Sequence, residues 1–180
     1  IDNKKMEYGL KHLSDHVTLI PQEPEIFNST IKNNITLGLR FSDSLIKKYT
    51  KLASFDYVLK RLPNGLQSSI SEKGVNLSGG EKQRLALARG LLAAEKSDIL
   101  LLDEPTSSVD SKNELKIYNE IFKVYEGKTI ISSIHRLHLL KFFDYIYYFN
   151  KGRIVAEGTL ADVMKNAEFQ NIWREYHKKH

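Results

Sequence analysis

From Ser42 to Leu62 the apolar positions Leu45, Ile46, Tyr49, Leu52, Val58, Leu59 and Leu62 fall at helical spacings. The rhythm slips near Ser54 and Pro63-Asn64-Gly65 closes the stretch, so two helices are predicted. Ser78 stands three residues before Glu81, a reciprocal capping pattern, and Leu85, Ala88, Leu91 and Leu92 then share one helix face. This predicts a helix beginning between Ser78 and Gly80. Ile99-Leu100-Leu101-Leu102 is instead an unbroken apolar run, as in a strand covered on both faces. Ser111 with Glu114 repeats the capping pattern and opens a helix through Tyr125; Thr129 to Ile134 is then a second buried strand, ending at His135. Val17 to Ile20, stopped by Pro21, adds a strand that runs into an ordered loop. Strand, helix, strand in this order implies a parallel sheet. Tyr145 to Asn150 and Arg153 to Ala156 flank Lys151-Gly152 as a hairpin, and Thr159 to Met164 and Glu168 to His177 read as closing helices.

Composition narrows the picture without deciding it. A chain of 180 residues, 41% hydrophobic, can bury one substantial core. The net charge of +5 comes from interspersed acids and bases rather than a basic arm, so no nucleic-acid partner is expected. Without cysteine there are neither disulfides nor Cys-ligated zinc, which suits a reducing compartment. No apolar stretch approaches the roughly 20 residues of a membrane helix, and Ile1 to Lys5 lacks a signal peptide's apolar core, so the polypeptide is expected to be soluble.

Four separated segments carry candidate chemistry. In Leu77-Ser78-Gly79-Gly80-Glu81 two glycines let backbone amides approach an anion, Ser78 adds a hydroxyl, and the following helix offers its positive end. Asp103 and Glu104 are adjacent at a strand's C-terminal end, where α/β sheets place ligands; their side chains diverge, one able to face magnesium and the other water. His135 follows a buried strand, from which an imidazole could reach a phosphate and an attacking water. Gln22, in the loop after the first strand, could bind magnesium through its side-chain oxygen.

Gln22, the Leu77–Glu81 segment with its continuation Lys82-Gln83-Arg84, the Ile99–Glu104 strand and His135 occur in an order that resembles the ATP-binding-cassette (ABC) family. Pro105-Thr106-Ser107-Ser108-Val109-Asp110 matches the family's continuation into the D-loop. Glu72-Lys73-Gly74, and Pro24-Glu25-Ile26-Phe27 with Asn34-Ile35, look like the exporter type. The resemblance implies an α/β P-loop NTPase fold, a mostly parallel sheet flanked by helices with an inserted helical subdomain, its N-terminal strands missing. It places that subdomain at about 23–95 and the catalytic core at 96–180. It also implies ATP and magnesium as ligands. By the same resemblance Asp103 and Gln22 would hold the metal, Glu104 would polarise the attacking water and His135 would steady the γ-phosphate. Leu77, Ser78, Gly79, Gly80 and Glu81, with Asp110, would face an ATP held by a second nucleotide-binding domain in a head-to-tail dimer. The other implied partner is a transmembrane domain, contacted through its coupling helices, which sets the location at the cytoplasmic face of a membrane.

A P-loop, Gly-x4-Gly-Lys-Ser/Thr, does not occur in the chain; Gly127-Lys128-Thr129 has Phe122 where the first glycine belongs and reads as a turn. In the family that loop precedes Gln22 by several tens of residues, upstream of Ile1. The polypeptide by itself is therefore expected to hydrolyse ATP negligibly and to self-associate through exposed apolar surface. Two other readings stay open: a soluble cassette ATPase acting on ribosomes or chromosomes, and a module that engages a partner cassette without hydrolysis.

Overall fold

The computed structural model describes residues 13, 15–23, 25–71 and 76–179, in two compact units, Ile1–Ser133 and Ile134–His180. In the first unit, strands β1 (Val17–Ile20), β2 (Ile99–Asp103) and β3 (Thr129–Ser133) form a parallel sheet in the order β1-β2-β3, with Ile20 beside Leu102 and Asp103 beside Ser133. The parallel sheet and its flanking helices agree with the expected α/β class.

Helix α1 (Ile31–Thr36) follows the loop after β1, and buried Asn34 ties that loop down. Its side chain accepts from the Phe27 amide at 2.8 Å and donates to the Phe27 and Thr30 carbonyls. Helices α2 (Asp43–Leu52) and α3 (Asp56–Arg61) are separated at Ser54, whose φ of 52° takes the chain out of helical geometry. Helix α4 (Gly79–Ala93) starts at Ser78 with both halves of its capping box formed. More than the expected stripe of α4 is buried: Ala86 and Leu87 lie inside with Leu85, Ala88, Leu91 and Leu92, because α1, α2 and β1 all pack on this helix. At Gly90 a Cβ would stand 2.6 Å from the Ile20 side chain, so glycine is what lets the helix lie this close to β1.

Three expectations need correction. Helix α5 (Ser111–Val124) is capped by Asp110, which accepts the Asn113 amide at 3.0 Å, rather than by Ser111; Glu114 turns inward and accepts from the Thr106 hydroxyl at 2.7 Å. The β2 strand is fully buried at Leu100 and Leu102 but only half-buried at Ile99 and Leu101, so one face is covered rather than both. Strand β3, expected to be buried, exposes Thr129, Ile131 and Ser133 on that same open face. Gly127, at φ 82°, makes the turn into β3, while Lys128 donates to the Ala94 and Glu95 carbonyls.

The second unit holds the antiparallel hairpin β4 (Ile146–Asn150) and β5 (Arg153–Gly158), turned at Lys151 and Gly152, both with positive φ. Helices α6 (Leu160–Val163), capped by Thr159 and Asp162, and α7 (Ala167–Lys179) cover one side of it. Its core is Leu137, Leu140, Ile146, Val163 and Phe169, with Trp173 and Tyr176 packed against it.

Candidate functional site

Parallel strands deliver their C-terminal ends to one edge of the sheet, and there the first unit gathers its carboxylates. Asp103 is the last residue of β2 and is exposed; its Oδ1 accepts from the Ser133 hydroxyl at 2.8 Å. Glu104 follows with φ 43°, an unusual conformation for a side chain of this size. Neighbours hold it there. Its amide donates to Ser133 Oγ at 3.2 Å, its carbonyl accepts from the Ser107 amide at 3.2 Å, and its carboxylate accepts from Gln22 Nε2 at 3.2 Å. Glu104 thus reaches the loop after β1 while Asp103 reaches the neighbouring strand β3, so the two acids diverge as adjacent residues should.

The start of α4 forms a second piece of the site. Leu77 is buried to 3% exposure and anchors the segment, whereas Ser78 and Gly79 are exposed. Burial opposes ionisation of Glu81, but hydrogen bonds from the Ser78 backbone and hydroxyl, and the Arg61 charge, outweigh it and hold the carboxyl below its ordinary range. Arg61 meets Glu81 at 2.5 Å. That pairing offsets the one negative charge in the first turn, so the positive helix end stays available to an anion. Gly80 abuts the turn after Glu104: a Cβ there would lie 2.7 Å from the Ser108 carbonyl oxygen.

Asp110 both caps α5 and accepts from the Asn113 side chain at 2.6 Å; these hydrogen bonds, side chain then backbone, depress its pKa. His135 is exposed and opens the second unit two residues beyond β3, tied to Ser133 by chain connectivity. Glu72, Lys73, Gly74 and Pro24 lie outside the described residues. The structure thus groups Gln22, Asp103 and Glu104, and sets the Ser78–Gly80 turn against the segment that leads to Asp110.

Two residues of this grouping escape a reading by residue type. Ser133 serves both acids at once, and Gln83, 5% exposed, bonds to the turn after Glu104: its Nε2 donates to Ser107 Oγ at 2.9 Å and its Oε1 accepts the Ser108 amide at 2.8 Å. A usable signal for Gln83 was its polarity two positions beyond the capping Glu81, at the mouth of an otherwise apolar helix.

Asp103 and Glu104 bring carboxylate oxygens to this edge, donors of the kind a hard cation prefers. Among the described residues no group of three or more His, Asp or Glu is arranged to hold a metal.

A family model described as "ABC transporter" matches residues 1–107. The chain belongs to the ABC transporter family. It is 44% identical over 161 residues to a Rickettsia prowazekii protein named as an export ATP-binding/permease protein, covering 88% of this chain and 28% of that one. It is 37% identical over 162 residues to the ATP-dependent lipid A-core flippase of Photobacterium profundum, covering 89% and 27%. A solved structure of a bacterial Atm1-family ABC exporter with ATP bound superimposes with a TM-score of 0.80 at 32% identity, over 90% of this chain and 29% of that one. The chain therefore spans little more than a quarter of the length of these ABC relatives. Among its described residues no helix is long and apolar enough to cross a membrane.

Proposed function

We propose that this chain belongs to the ATP-binding and ATP-hydrolysing domain of an ABC exporter, coupling hydrolysis to transport across a membrane from its cytoplasmic face. The observation that carries it is the meeting of Gln22, Asp103 and Glu104 at one sheet edge, beside a capped helix start where Ser78 and Gly79 are exposed. Residues 23–95 act as the helical subdomain and 96–180 as the catalytic core.

Glu104 orients and polarises the attacking water; the Gln22 amide steadies its carboxylate, and Ser133 fixes the turn that presents it. Asp103 and the Gln22 oxygen hold magnesium, which when bound neutralises charge on the phosphates. The Ser78 hydroxyl and the Gly79 and Gly80 amides bind the γ-phosphate of an ATP held by a second cassette, with Leu77 and Glu81 fixing that turn and Asp110 at the facing surface. His135 steadies the transferred phosphoryl group.

The membrane partner docks through its coupling helices on the helical subdomain. Supporting this, Phe27, Leu37 and Leu39 are 45%, 56% and 65% exposed in or near the loops that bracket α1. The export, flippase and exporter names of the relatives favour this over a ribosome- or chromosome-bound ATPase.

The test is ATP turnover by the complete native protein carrying Glu104→Gln. Turnover falls at least about 100-fold while nucleotide binding persists, as for loss of a general base. Undiminished turnover would remove Glu104 from this role.

A further inference from the structure

One turn into α4, the Gln83 amide is shared among three segments. Besides its bonds to Ser107 and Ser108, its Nε2 lies 3.4 Å from the backbone oxygens of both Gln22 and Glu104. A primary amide has two N–H donors, and here both are shared among acceptors in the loop after β1, the end of β2 and the turn into α5, while its oxygen takes the Ser108 amide. Three of its four partners are backbone atoms, whose positions follow the path of the chain itself. One of them belongs to Glu104, whose φ of 43° persists only because its surroundings hold it. The same helix begins with Ser78-Gly79-Gly80, and Gly80 touches the Ser108 carbonyl that adjoins Gln83's own partner.

We propose that Gln83 is a positioning residue linking the two nucleotide sites of a cassette dimer. It registers the first turn of α4, which serves the ATP of the opposite subunit, against Glu104 and Gln22, which serve the subunit's own. A short rigid helix turn transmits any displacement of its start to Gln83, and through Gln83 to the loop and turn that aim the water-activating carboxylate. The inference rests on the cassette reading given above. It adds a direction of influence: engagement of phosphate by Ser78–Gly80 sets the readiness of Glu104 at the other site.

The experiment measures magnesium-ATP turnover by the complete native protein as wild type, Gln83→Met and Gln83→Glu. Methionine keeps the length and apolar stem without donors, and glutamate keeps an acceptor for the Ser108 amide while losing the donors. In both variants kcat falls about tenfold or more, KM stays within about twofold, and a wild-type Hill coefficient above one moves to one. A merely structural role would lower the thermal midpoint and the active fraction but leave the Hill coefficient of folded molecules intact. Should neither variant fold, Ser107→Ala removes the shortest Nε2 bond with Gln83 in place, and must move kcat and cooperativity the same way. Folded Gln83→Met with wild-type kcat and cooperativity overturns this inference alone; a wild type without turnover overturns the cassette reading as well.

Discussion

At Gly80 the first turn of α4 and the Ser108 carbonyl are so close that no side chain fits between them. Gly80→Ala forces the helix start away from that turn and costs about 1–3 kcal/mol, the usual penalty of overpacking; denaturant titration checks it, and an unshifted midpoint would contradict the contact. Thr106 and Glu114 are both 2% exposed, and Thr106→Val takes a hydroxyl donor from a buried carboxylate. About 1–3 kcal/mol is lost by the same measurement. The position of Asp103 and Glu104 was legible at this scale, because an acidic pair directly after an apolar run falls at a strand's C-terminal end; a loop start or helix cap would read the same way, and only the neighbouring motifs favoured a chemical role. Ser133 and Gln83 were not. Their meaning lies in contacts made across 30 positions to Asp103 and 61 positions to Gln22, which no local pattern encodes.

Among the elements, α4 was the most readable, because Ser78 and Glu81 act on each other three residues apart and need nothing distant. Ser78→Ala removes the cap at a cost of about 1 kcal/mol. The pH dependence has a definite sign. The folded Glu81 carboxyl lies below its ordinary value of 4.5, so its contribution is complete above that pH and is lost as pH falls through the lower, folded value. Stability should fall in acid in wild type, and Glu81→Gln should flatten that part of the profile; identical acid profiles would count against the pairing with Arg61. The second capping pattern misled because Ser111 and Asp110 are both good caps and only tertiary contact decides: Glu114 was drawn inward to Thr106. Helix α1 escaped notice because Ile31, Asn33, Asn34, Ile35 and Thr36 are weak helix formers; the Thr30 cap, and the bonds of Asn34 to the preceding loop, hold it in place.

For the molecule as a whole, the parallel sheet was legible from strand order, but its coverage was not. An unbroken apolar run says that both faces seek burial, not what lies against each. Leu19 and Ile131 are 60% and 57% exposed on the open face beside half-buried Leu101, where parallel sheets ordinarily carry a second layer. The 180-residue polypeptide should therefore self-associate in solution scattering, and Leu19→Lys with Ile131→Lys should reduce the association; a wild-type monomer would contradict this. The proposed role of Ser78–Gly80, contact with a nucleotide held by another cassette, requires two copies of this helix start to approach each other when ATP binds. Because the chain has no cysteine, Lys82→Cys, exposed on the first turn of α4 beside that segment, gives each copy of it one label position. The most direct measurement is the spin-label distance between two such positions in the complete native protein carrying Glu104→Gln, with and without magnesium-ATP. ATP should collapse a broad distribution into one short, defined distance; a distribution that ATP leaves unchanged would contradict that role of Ser78–Gly80.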